Sequence, residues 1–221
     1  MNTEEEEKES AKSKQHLNIP EGALVIMPMR NRVLFPSMMM PLAVRSRARR
    51  HAVEEAVRQQ VPIGFVVQRD PNVEVPEPKD LYPVGTTGDV VRMFTLPDGQ
   101  RQVLVQGRRR FEIGEFLETD PVLIARVTMV EEKIPETKDF EARILHLRQE
   151  AARALSLFSE PMNELRVMID RIEDPLSVID MIASTLDLPT AEKQEILGIL
   201  DAVPVGELGD QQFVGCFIFK T

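Results

Sequence analysis

Few side chains in this 221-residue chain have the means to act as ligand, base or nucleophile, and none stands in a pattern that would let it work. His16, His51 and His146 lie far apart, each without a neighbouring Cys or His, whereas a zinc site draws its donors from close pairs. Cys216 is the single cysteine, and a thiol attacks only when a base is positioned beside it. Ser37, Ser46 and Ser177 fall at turn or helix-start positions, where a hydroxyl satisfies backbone groups. The acidic pairs Glu54-Glu55 and Glu131-Glu132 suit a solvated helix face and a strand end rather than general acid–base work. There is no Gly-x-x-x-x-Gly-Lys-Ser/Thr or Gly-x-Gly-x-x-Gly loop to cradle a phosphate. The expectation is a protein with no catalytic residue, no cofactor and no metal.

One constellation points to binding instead. Met27, Met29, Met38, Met39 and Met40 gather within fourteen positions, beside Phe35 and Leu42. Methionine is unbranched and polarizable, so it repacks against varied apolar partners. Along an extended Met38-Met39-Met40, successive side chains point to opposite faces, so one faces outward if the other face is core. Arginine is also concentrated here: seven lie between Arg30 and Arg58, against Glu54 and Glu55 alone. Met29, Arg30, Phe35, Met38, Met39 and Met40 are therefore the candidate contact residues for unfolded or damaged protein segments. Two bland readings stand beside this one: methionines filling an irregular core around proline bends, and arginines solvated on a helix. A second basic cluster is Arg108-Arg109-Arg110.

The elements that must position these residues change character along the chain. Residues 1–21 read as a disordered acidic tail, because Glu4 to Glu7 has no apolar partner to offset the entropy of ordering. From 22 to 132 the pattern is β-rich. Strands are expected at Leu24 to Met27, Val33 to Phe35, Met38 to Val44 and Ile63 to Gln68, with Pro36 and Pro41 confining two of them to edges or bends. Ser46 suits the cap of one helix reaching about Gln60. Residues 70–83 form a loop with prolines at 71, 76, 78 and 83. Asp89 to Leu96 and Gln100 to Gln106 flank Pro97-Asp98-Gly99, a turn sequence that predicts a hairpin. Arg109 to Leu117 and Val122 to Val130 add two strands, and the single helix is expected to plug one end or cover an edge.

After Pro135 the period changes from 2 to 3.6. Phe140, Ile144, Leu147, Ala151, Ala154 and Phe158 form one helical stripe. Pro161 opens a second helix with Met162, Leu165, Ile169 and Ile172 inward, Asp174-Pro175 a third through Leu186, and Thr190 caps a fourth. Short links imply a small antiparallel bundle over 136–205. Residues 206–221 break that pattern with Phe213-Val-Gly-Cys-Phe-Ile-Phe219, an uncharged β-prone run.

Composition narrows the class further. The net charge of −9 opposes a nucleic-acid binder, whose affinity rests on Lys/Arg contacts to phosphate. No apolar run approaches the ~20 residues of a membrane helix, the first fifteen residues carry no signal-peptide core, and a lone cysteine fits a reducing cytosol. A cytoplasmic protein without membrane contact is expected.

Several segments in order resemble the N-terminal, substrate-binding domain of the Lon family of ATP-dependent proteases. They are Pro28-Met29-Arg30, Val33-Leu34-Phe35-Pro36, Met40-Pro41-Leu42, Gln68-Arg69-Asp70-Pro71, Asp80-Leu81-Tyr82-Pro83-Val84-Gly85-Thr86, Leu96-Pro97-Asp98-Gly99 and Val103-Leu104-Val105-Gln106-Gly107. Ile172 to Pro175 and Glu192-Lys193-Gln194-Glu195-Ile196-Leu197 resemble that family's helical part. The resemblance covers residues 22–205; Asn31, where the family often has an acid, and 206–221 depart from it, the latter as a truncation, frameshift or junction would. It implies an α+β protein: a PUA-like pseudo-barrel with one helix, then a small helical bundle. It implies recognition of unfolded or damaged proteins, and a chain cut before the phosphate loop and the Ser–Lys protease pair. Dimers or hexamers are implied for the full-length family. The alternatives are a free-standing Lon-domain binding module and a PUA-like RNA-binding protein.

Overall fold

The computed structural model describes residues 19–44, 46–97, 99–132, 134, 136–156 and 167–199. Residues 1–18 of the predicted tail, Cys216, the helix start at Pro161 with Met162 and Leu165, Phe158 and the 206–221 run lie outside the described residues. The chain divides into two compact units, one ending at Val130 and the other starting at Glu131.

The first unit is a six-stranded mixed sheet in the order β2-β5-β4-β3-β1-β6, and β6 also pairs with β5, which closes it into a barrel. The strands are β1 (Ala23–Met29), β2 (Met39–Ala43), β3 (Ile63–Val67), β4 (Val84–Thr95), β5 (Arg101–Glu118) and β6 (Leu123–Met129), with helix α1 (Arg47–Gln59) between β2 and β3. β1 and β3 run parallel and the remaining pairs antiparallel. Every residue of β1 and β3 is buried. Each is covered on both faces, which is why their sequences are largely continuous apolar runs rather than alternating ones.

Two expectations change. Arg109 to Leu117 is not a separate strand: β5 runs unbroken for 18 residues, because its first half pairs with β2 and its second half with β6. Val33 to Phe35 is not a strand but buried irregular chain. It crosses β5 where Gly107 leaves room. The Ser37 N–H donates to the Gly107 carbonyl and the Gly107 N–H to the Met38 carbonyl. A Cβ at position 107 would overlap the Phe35 carbonyl oxygen, so only glycine permits this crossing.

Ser46 caps α1 as expected, its hydroxyl accepting from the Arg49 N–H at 3.2 Å. Ala52, Val53 and Ala56 on one stripe are buried. Val53 and Ala56 join the cluster of Met29, Leu34, Phe65 and Val105, while Ala52 joins Val25 and Ile124. The helix thus completes the barrel core. At Asn31 the backbone is left-handed, with φ of 54°. Asn is several-fold enriched in that conformation, which accounts locally for its presence.

In the second unit, α2 (Lys138–Ser156), α3 (Pro175–Thr185) and α4 (Thr190–Leu197) are helical, as are residues 167–171. Phe140, Ile144 and Leu147 of the predicted stripe are buried, as are Ile169 and, on α3 and α4, Val178, Ile182, Ile196 and Leu197. Asp174 caps α3 by accepting from the Ser177 N–H at 2.8 Å. The cap of α4 is Pro189 and Thr190 is its first residue, one position from the expectation. Arg148 of α2 donates to the carbonyls of Ile169 and Ile172, both at 2.5 Å. It thereby satisfies acceptors at the end of a neighbouring helix.

Candidate functional site

The hairpin formed by β4 and β5 leaves the barrel as an arm, and β2 lies along it. Residues 84–88 of β4 are all buried, whereas Val91, Arg92 and Met93 are exposed. The register explains the change. β3 pairs with β4 only from Phe65↔Thr86 to Ile63↔Gly88, so beyond Gly88 that edge of β4 has no strand beside it.

β2 supplies the other side of the arm. Its exposure alternates, with Met39, Pro41 and Ala43 exposed and Met40 and Leu42 half-buried against the core. Met39 pairs with Gln106, Pro41 with Leu104 and Ala43 with Gln102, and Leu104 in turn opposes Arg92. Directly opposed residues in an antiparallel pair share a face. Met39, Pro41, Leu104 and the stem of Arg92 therefore line one outer face of the arm, and Met39 remains 51% exposed. The free edge of β2 is blunted. The Val44 N–H donates to the Arg101 carbonyl, and Met38 accepts from Gly107, so alternate residues 38 and 44 face β5. Pro41 falls on the outward-facing set and has no N–H to offer a stray strand.

Of the six candidate contact residues, two are corrected. Met29 and Phe35 are core side chains, at 4% and 0% exposure. Met29 sits in a fully covered strand, and Phe35 is folded under the crossing at Gly107, so no partner reaches either without opening the barrel. Met38 and Met40 are half-buried. Arg30 is exposed, yet its guanidinium donates to the Val73 and Glu74 carbonyls at 3.0 and 3.2 Å and fastens the loop after β3. Met39 alone is a fully presented apolar member. Leu104 and Met93 were missed, because alternation in a hairpin does not reveal which end leaves the core.

The charged clusters separate in the same way. Arg108 bonds Asp89 at 2.6 Å and Arg110 is buried, so residues 108–110 form no continuous positive patch. Arg101 bonds Glu54 at 2.9 Å. The first turn of α1 differs. It carries Arg47, Arg49 and Arg50 with no acid, although a helix N-terminus favours negative charge. Burial, and after it the positive charge of Arg30, holds the Arg49 guanidinium below its ordinary pKa. Among the described residues no group of three or more His, Cys, Asp or Glu could hold a metal, and no helix is long and apolar enough to cross a membrane.

The family description "ATP-dependent protease La (LON) substrate-binding domain" matches residues 23–203. The chain belongs to this family. It is 35% identical over 192 residues to the Lon protease of Methylocella silvestris, covering 87% of this chain and 24% of that protein. It is 38% identical over 184 residues to the Lon protease of Phenylobacterium zucineum, covering 83% of this chain and 23% of that protein. The chain thus spans about a quarter of the length of these curated Lon relatives. The fold matches the N-terminal domain of Mycobacterium avium complex Lon protease with a TM-score of 0.65 at 20% identity, covering 79% of this chain and 89% of that one. It also matches a Lon N-terminal domain protein from Xanthomonas campestris with a TM-score of 0.58 at 18% identity, covering 81% of this chain and 91% of that one. The α+β Lon N-terminal architecture and membership of the Lon substrate-binding-domain family are thereby established.

Proposed function

We propose that this Lon substrate-binding domain captures non-native protein segments on the outer face of the β2–β5–β4 arm and presents them to an ATP-driven protease. The observation that carries the reading is the outer-face line of exposed Met39 and Pro41 beside half-buried Leu104. A flexible thioether on a rigid support adapts to varied apolar side chains. It replaces the contact set anticipated from sequence: Met39 stays, with Met38 and Met40 as partly covered neighbours, while Met29 and Phe35 serve the core that holds the arm.

A photo-crosslinking residue placed at Met39 tests the proposal with a model protein offered both unfolded and native. Adducts with the unfolded form alone support it. Adducts with neither form, or equally with both, overturn it. A salt titration separates it from RNA binding, whose affinity falls steeply with ionic strength, whereas apolar capture changes little.

A further inference from the structure

The opposite side of the arm carries a second feature. A cavity of about 110 Å³ opens between α1 and the arm. Its floor is Val44, Val53 and Val103, all buried, and Met93 forms a partly exposed wall. Arg50 and Arg101 stand at its lining. Arg101 is engaged by Glu54, which ties α1 to β5 across the rim. Arg50 is half-buried and has no carboxylate partner among the described residues.

We infer that this cavity takes one aliphatic side chain of an extended client segment whose neighbouring residue is acidic, the carboxylate pairing with Arg50. The inference rests on the client-capture reading above and specifies which clients the domain prefers. Size selects the side chain: an engineered apolar cavity of about 150 Å³ holds a benzene ring, and this one is smaller, so a leucine, isoleucine or valine fits better than an aromatic group. Charge selects its neighbour. An otherwise acidic protein places a guanidinium without a carboxylate partner among the described residues at an apolar pocket, in a helix turn that already carries two other arginines and no acid. A local rule broken without a compensating internal contact marks a position set by something outside the fold. A carboxylate beside the inserted side chain supplies the missing contact, and a planar guanidinium receives it through two parallel hydrogen bonds.

The test measures fluorescence anisotropy of the full chain with labelled ten-residue Gly/Ser peptides carrying a central Leu-Asp, Leu-Asn, Leu-Lys or Trp-Asp. Leu-Asp binds roughly tenfold more tightly than Leu-Asn, the scale of a hydrogen bond to a charged group, with Leu-Lys and Trp-Asp weaker still. Arg50→Gln erases the preference for Leu-Asp over Leu-Asn, and Arg50→Lys retains part of it. A thermal melt checks that both variants are folded. Equal binding of Leu-Asp and Leu-Asn overturns the inference, as does a preference that survives Arg50→Gln. An unfolded protein that crosslinks at Met39 while no peptide binds leaves client capture standing and removes the cavity from it. Failure of both removes both. Displacement of Leu-Asp by an oligoribonucleotide with a steep salt dependence overturns the inference in favour of a nucleic-acid surface.

Discussion

Strands β4 and β5 have two halves in opposite surroundings. Near the barrel, Thr86 to Gly88 have β3 on one side and β5 on the other, and all five residues from Val84 to Gly88 are buried. In the arm, Val91 to Met93 of the same strand are exposed, and β2 adds Met39 to the outer face. The same backbone pairing runs through both halves. What differs is the number of neighbours across the sheet face: the barrel half is covered from two directions, the arm half from one. A sheet covered on one side presents side chains on the other.

The sharpest way to break this comparison is to exchange the roles of its apolar residues. Phe35→Ala removes a fully buried ring and is expected to cost about 3–5 kcal/mol, read as a shift in the urea midpoint. A loss near zero would place Phe35 outside the core. Gly107→Val forces the Phe35 crossing off β5 and is expected to cost about 1–3 kcal/mol, measured by the same unfolding transition. Ser46→Ala removes the cap that orients α1 and is expected to cost about 1 kcal/mol, with helix content at 222 nm otherwise retained. Met39→Ser with Leu104→Ser costs no more than about 1 kcal/mol, since Met39 is exposed and Leu104 only half-buried on the outer face. The same pair weakens crosslinking to unfolded protein. If it instead abolishes the cooperative melt, the arm belongs to the core and the contrast between the halves disappears. Smallest of all, Glu54→Gln breaks an exposed pair and changes stability by less than about 1 kcal/mol.

Much of the frame was legible in the residues. The Ser46 and Asp174 caps, the apolar stripe Phe140–Ile144–Leu147 and the turn that includes Gly99 are local signals: each depends on residues a few positions apart and holds in any fold that contains it. Buried β1 was legible for a related reason, because a strand covered on both faces reads as an unbroken apolar run like Leu24 to Met27. The cap expected at Thr190 falls one position earlier, on Pro189, and Thr190 is the first helical residue.

The candidate site divided along the same line. Met29, Phe35 and Met39 are equivalent by composition, each an apolar residue close to a proline bend. Nothing local tells them apart. Met29 is fixed by its pairing with Val67 of β3, whereas Phe35 and Met39 are set by β5, some 70 residues further on, through the space left by Gly107 and the register Met39↔Gln106. Composition and period determined that this chain is an α+β protein with a methionine-rich opening and a helical second part. Only the closed sheet decided which of those side chains face water, because exposure depends on which distant strand lies alongside.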